Sequence, residues 1–154
     1  MSHTQPILAS PLSVYFMGQG QTSNHPLLAT EQFGFGGSVQ GRGYDPAEIL
    51  GDRGLAGTLE VRFDTFPQKF LINNVQYYVF YDIGKVWDIQ HAPDPQVPQS
   101  SSAASGGFGA RFGITQYISG NVMFTQALTK PIASESLIGR GKVPKIFFSL
   151  VASV

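Results

Sequence analysis

No cysteine occurs among the 154 residues, which excludes disulfide frameworks, thiolate metal sites and cysteine nucleophiles together. Charge is scarce as well: Asp, Glu, Lys and Arg make up 13% of the chain, about half the ~25% of an ordinary soluble domain. Ten basic and ten acidic side chains cancel, so no nucleic acid partner is implied. Long apolar runs are missing. The best, Ile146 to Val154, is nine residues with two serines, against the ~20 of a spanning helix, and this excludes a helical membrane protein. The N-terminus, MSHTQPILASPL, has neither the basic region nor the apolar core of a secretory signal. The chain therefore reads as cytoplasmic or as a piece of a longer exported protein.

Glycine (18 residues), aromatics (12%) and an ordinary 42% hydrophobic content are present, too apolar a mixture for disorder. Helical periodicity is rare, whereas alternation with a period of two is clean. Leu55, Leu59, Val61 and Phe63 oppose Thr58, Glu60, Arg62 and Asp64. Val75, Tyr77, Val79, Tyr81 and Ile83 oppose Gln76, Tyr78, Phe80, Asp82 and Gly84. Similar patterns cover 107–115, 118–129, 145–154 and a stretch from Leu12, giving about six long strands. Apolar faces carry no charge except Lys85, and the polar faces hold the remaining charge together with small residues. This suits transmembrane barrel strands, which are apolar outside and polar inside. A soluble β-sandwich binding module is the alternative, with ordinary strands of ~5–6 residues.

Loop lengths alternate: 22–53 is long, 66–74 short, 89–105 long, 116–117 tight and 130–144 long. Up-and-down barrels sort their connections in this way, with short periplasmic turns and long external loops. The Pro- and Ser-rich segment from His91 to Gly106 reads as a mobile external loop.

No catalytic residue, cofactor or metal site is expected. His3, His25 and His91 stand apart with no second ligand at metal spacing. Glu60 and Asp64 share a strand face and read as lumen-wall charges rather than a general acid/base pair. The stretch 31–54, EQFGFGGSVQGRGYDPAEILGDRG, stands out. It is long, dense in glycine and studded with Phe33, Phe35, Tyr44, Ile49 and Leu50, so it is expected to fold back rather than extend into solvent.

These residues resemble a known family. Gln19-Gly20-Gln21, Glu31-Gln32-Phe33, Gly36-Gly37, Arg42-Gly43-Tyr44 and Gly51-Asp52-Arg53-Gly54 follow in order the loop pattern of haemolysin-activator two-partner-secretion transporters, in the BamA-like superfamily. Phe80-Tyr81-Asp82-Ile83-Gly84 is similar to their strand motif, aromatic-x-Asp-x-Gly. The resemblance implies an all-β fold, the last six strands of a sixteen-stranded antiparallel transmembrane barrel in the bacterial outer membrane. Residues 1–154 would be its C-terminal part, without the periplasmic POTRA domains, and so a fragment of a longer chain. It also implies that the 22–53 loop folds into the barrel and that Arg42 meets Asp82 on the inner wall. Gly36, Gly37, Gly43, Tyr44, Gly51 and Asp52 would be the other loop residues of the site, with Phe80 and Gly84 on the wall.

The function implied is a non-enzymatic pore translocating a partner exoprotein. Its partners would be that secreted polypeptide, outer-membrane lipid and the barrel-insertion machinery; a BamA-like insertase is the alternative within the superfamily. Two positions depart from the family pattern: Gly41 stands where an apolar residue is commoner, and Val154 where a terminal aromatic is usual. An isolated six-stranded sheet would be open, with the strand from Leu12 and the strand ending at Val154 as its edges.

Overall fold

Alternating apolar and polar side chains fit a pleated strand, because successive Cβ atoms point to opposite faces. The computed structural model, which describes residues 2–6, 11–66, 73–89, 99–114, 117–129, 137 and 142–153, shows those strands. They are β1 (Ser2–Pro6), β2 (Leu12–Gln21), β3 (Phe33–Phe35), β4 (Ile49–Gly51), β5 (Arg53–Thr65), β6 (Asn74–Trp87), β7 (Ser100–Gly113), β8 (Ile118–Ala127) and β9 (Lys145–Ala152). Seven form one antiparallel sheet in the order β1-β2-β5-β6-β7-β8-β9, and β3 pairs with β4 in a separate ribbon. Apart from the β3–β4 excursion, every strand pairs with its neighbours in sequence. Among the described residues β1 and β9 do not pair, so the sheet has two free edges. The fold is all-β.

The faces are inverted relative to a soluble protein. Along most of β5 and β6, burial alternates residue by residue, with Thr58, Glu60, Phe80 and Asp82 on the buried face and Leu55, Leu59, Val79 and Ile83 on the exposed one. Val79 is 62% exposed, Phe108 58% and Ile83 52%, whereas Thr58, Glu60, Asp82, Ser105 and Thr125 are at most 2%. No second layer covers the apolar face among the described residues. A soluble sandwich does the reverse, burying its apolar face against a second sheet. Tyr77, Tyr81, Trp87 and Phe63 all lie on the exposed face.

What covers the polar face is the chain's own long loop. Phe33, Phe35, Tyr44 and Ile49 from the loop bury against Ala56, Val86, Ala103 and Ala127 of the wall, forming one cluster. Burying each large apolar side chain contributes about 1.5–3 kcal/mol. The β3–β4 ribbon holds the Phe33 and Phe35 end of the loop against the Ile49 end. The connections 22–52, 88–99 and 128–144 leave one end of the sheet, and 7–11, 66–73 and 114–117 leave the other.

Three expectations need correction. The sheet has a seventh strand, β1, so the N-terminal edge is Ser2–Pro6 and not the strand from Leu12. Its five residues end in proline, too few to display alternation. Second, β7 begins at Ser100, inside the segment read as an external loop, and runs beside Trp87 to Ile83. The run Ser100-Ser101-Ser102-Ala103-Ala104-Ser105 lacks contrast between its faces, and its small side chains leave room where the long loop lies against the wall. Third, β3 and β4 subdivide the loop, and β5 starts at Arg53. His91, Arg140 of the long connection 130–144, and Val154 lie outside the described residues.

Candidate functional site

Arg42 sits at the tip of the long loop and reaches the middle of the wall. Its Nε and Nη2 donate to Oδ2 and Oδ1 of Asp82 at 3.0 and 2.9 Å, and its own main-chain N–H donates to Oδ2 at 3.0 Å. Nη1 donates to Glu60 Oε2 at 2.9 Å. Thr58 Oγ1 donates to Asp82 Oδ1 at 2.9 Å. The guanidinium carbon lies 3.5 Å from the centroid of the Phe80 ring. Arg42, Asp82 and Glu60 are all buried. Each carboxylate oxygen of Asp82 is therefore saturated, which is what stabilises a charge out of water.

The β5–β6 register explains this meeting. Thr58 stands opposite Asp82 and Glu60 opposite Phe80, so the carboxylates of two adjacent strands project from one face, two residues apart along the strand. Glu60 is the wider hub. Its oxygens also accept from Arg62 Nε at 2.7 Å and from Arg111 at 2.7 and 3.2 Å. Arg111 lies over Tyr78 and Arg62 over Tyr15, with guanidinium carbons 3.9 and 4.1 Å from the ring centroids. Three guanidinium groups against two carboxylates leave one positive charge, spread over a wall of aromatic faces.

The backbone of the loop is fitted to this position. Gly41 has φ +70°, and a Cβ there would lie 2.8 Å from the Phe35 ring. A Cβ at Gly43 would lie 2.7 Å from the main chain of Gln126 on β8. Tyr44 donates its hydroxyl to the carbonyl of Ala104 at 3.1 Å. Gly84 lies directly beneath the Phe35 ring, leaving no room for a side chain. Gly36 and Gly37 have φ +125° and +119° at the bend following β3, and Gly51 packs against Val86 and Trp87.

Asp52 works at the stem. It is buried and accepts from the main-chain N–H of Leu27 and of Ile89, both at 2.7 Å, and from Gln32 Nε2 at 3.2 Å. It thereby joins the start of the loop to the segment after β6. Those backbone hydrogen bonds hold its carboxyl below the usual range. Asp88 nearby is pushed up, by burial and by the charge of Asp52.

The structure thus brings Arg42, Asp82 and Phe80 into one contact, with Gly41, Gly43, Tyr44 and Gly84 packed around it. Asp52 and Gly51 are separate from that contact and serve the stem. Two participants escape the sequence reading. Glu60 appears there only as a wall charge, and Arg111 only within the patterned stretch 107–115. The alternation places both on the correct face, but only the strand register reveals that they share an ion cluster. Among the described residues, no group of three or more His, Asp or Glu side chains could hold a metal ion.

A sheet that saturates charges beneath its own loop and exposes apolar side chains on its other face is consistent with part of a β-barrel. Residues 2–112 match the family model described as haemolysin secretion/activation protein ShlB/FhaC/HecB, and the chain belongs to that family. The family comprises secretion proteins of the outer membrane and is not an enzyme family. No curated protein and no solved structure matches the chain.

Proposed function

We propose that this chain is the C-terminal wall, with its infolded loop, of an outer-membrane pore that carries a partner exoprotein in two-partner secretion. The observation that carries this reading is the buried bidentate bond between Arg42 and Asp82, backed by Glu60. A loop fixed to the inner wall at mid-strand occupies the path of a translocating polypeptide and positions its own surface along that path. Packing contributes to holding it, since Phe35 and Tyr44 are buried. The ion cluster adds direction, because a guanidinium matched to two carboxylates fixes both register and orientation. Family membership supports the same reading. Gly36, Gly37, Gly43 and Gly84 allow the close approach, and Asp52 closes the stem.

The test is secretion by the full-length protein expressed with its exoprotein. Arg42→Ala should leave a folded, heat-modifiable barrel in the outer membrane while exoprotein in the medium falls sharply. Normal secretion by that variant would contradict the role of the loop.

A further inference from the structure

The outward face carries a groove of about 870 Å³ between β2, β5 and β6, bordered by Phe16, Leu55 and Ile83 and floored by Gly18 and Gly57. Gly18 and Gly57 face each other in register. Three inner-face glycines of the sheet have an internal reason: Phe33 fills the space at Gly54, Phe35 that at Gly84, and Tyr78 that at Gly109. A Cβ at Gly18 would meet nothing nearer than 3.5 Å, and one at Gly57 nothing nearer than 3.8 Å. The chain's own packing does not require these two positions to be empty.

The groove ends in positive charge. Lys85 lies on its rim with its ammonium 5.2 Å from the Trp87 ring centroid. Arg53 stands opposite Trp87 and Leu55 opposite Lys85, which makes Arg53 and Lys85 diagonal neighbours on one face, their backbones roughly 7–8 Å apart. The Arg53 Nε donates to the Ser23 carbonyl at 2.7 Å, so a ligand would meet its terminal Nη groups. The outward strand faces carry no carboxylate among the described residues, since Glu60, Asp64 and Asp82 all lie on the inner face. The cations also sit at the end of the sheet from which the long connections 22–52 and 88–99 emerge.

We propose that this groove binds an acyl chain of a phosphate-bearing glycolipid of the outer leaflet, with the phosphate held between Arg53 and Lys85 and the sugar against Trp87. The proposal rests on the outer-membrane reading above, in which the long loops are external. A phosphate monoester carries about −1.5 to −2 charges at neutral pH and matches two fixed cations. A phosphodiester lipid carries one charge and matches them less well. Trp at the interface suits a head group on one side and acyl chains on the other.

The test uses the full-length protein in detergent, with lipids retained in native mass spectrometry as the readout. Bisphosphorylated lipid A should be retained, whereas dephosphorylated lipid A and phosphatidylglycerol should not. The double variant Arg53→Gln/Lys85→Gln should lower retention about tenfold. Gly57→Leu, whose Cβ would meet nothing nearer than 3.8 Å and whose side chain points into the groove, should do the same while the barrel stays heat-modifiable. Lys142→Gln, which removes a cation away from the groove, should change nothing. Equal retention by wild type and these variants would overturn the site, as would phosphatidylglycerol binding as well as lipid A. A full-length protein that is folded and soluble without detergent would overturn the membrane reading itself.

Discussion

Arg42 and Asp82, forty residues apart in sequence, share three hydrogen bonds: two from the guanidinium and one from the main-chain N–H of Arg42. The main-chain bond matters as much as the ion pair. It requires the backbone of the loop, and not only a long side chain, to approach the wall. That approach depends on Gly41 and Gly43 on either side.

Arg42→Lys separates charge from shape. An ammonium keeps the charge, but it cannot donate to both Asp82 oxygens and to Glu60 in a fixed plane, nor stack flat on Phe80. Secretion by the lysine variant should fall between wild type and Arg42→Ala. Wild-type secretion from Arg42→Lys would show that charge alone suffices.

Gly43→Ala tests the closeness of approach. The added methyl meets the β8 main chain, which cannot yield without breaking strand pairing, and such overpacking costs about 1–3 kcal/mol. In detergent, proteolysis within 31–50 should become faster than in wild type. Cleavage at the wild-type rate would mean that the loop tolerates displacement from β8.

The outward face should reject charge and the inner face accept it. Val79→Arg places a cation mid-strand among exposed apolar side chains, at a cost of about 2–4 kcal/mol in a bilayer. Ser149→Arg, on the inner-facing series of β9 beside Asn121, should assemble normally. Heat-modifiability of the two full-length variants checks this. Equal assembly would argue against lipid on that face.

The stem should loosen in acid. The folded pKa of Asp52 is depressed, so its contribution is complete above the ordinary carboxylate value of 3.8 and is lost as pH falls through the lower folded value. Asp88 has the opposite sign, because its raised pKa means that protonation relieves repulsion, offsetting part of the loss. Hydrogen exchange at the Leu27 and Ile89 amides, corrected for intrinsic rates, should accelerate below pH 4 in wild type. In Asp52→Asn, which keeps one acceptor oxygen and turns the other into a donor, at least one of the two amides should be fast at every pH. Unchanged protection of both amides in Asp52→Asn would remove the carboxylate from the stem.

Where each face has a distinct composition, the fold is legible in the sequence. β5 and β6 alternate cleanly, and their buried and exposed sets fall as the residues dictate. The start of β7 is hidden because Ser and Ala do not declare a face, and β1 because five residues show too little of a period. The pairing of Arg42 with Asp82 is legible through the family motifs together with the face assigned to Asp82. Glu60 is a different case. Its tie to Arg62, two residues along the same strand face, is local, but those to Arg42 and Arg111 depend on three strands in register plus a returning loop.

A double-mutant cycle tests the central claim most directly. Arg42→Ala, Asp82→Ala and the combination would be measured in the full-length protein for exoprotein secretion and for thermal stability of the barrel in detergent. Removing one partner of a buried pair costs about 3–5 kcal/mol, mostly because the other charge is left unpaired. The double variant should therefore be little worse than either single one in both measurements, with a large coupling between the two sites. Additive defects, each variant losing an independent share, would contradict the account, since Arg42 and Asp82 would then act apart.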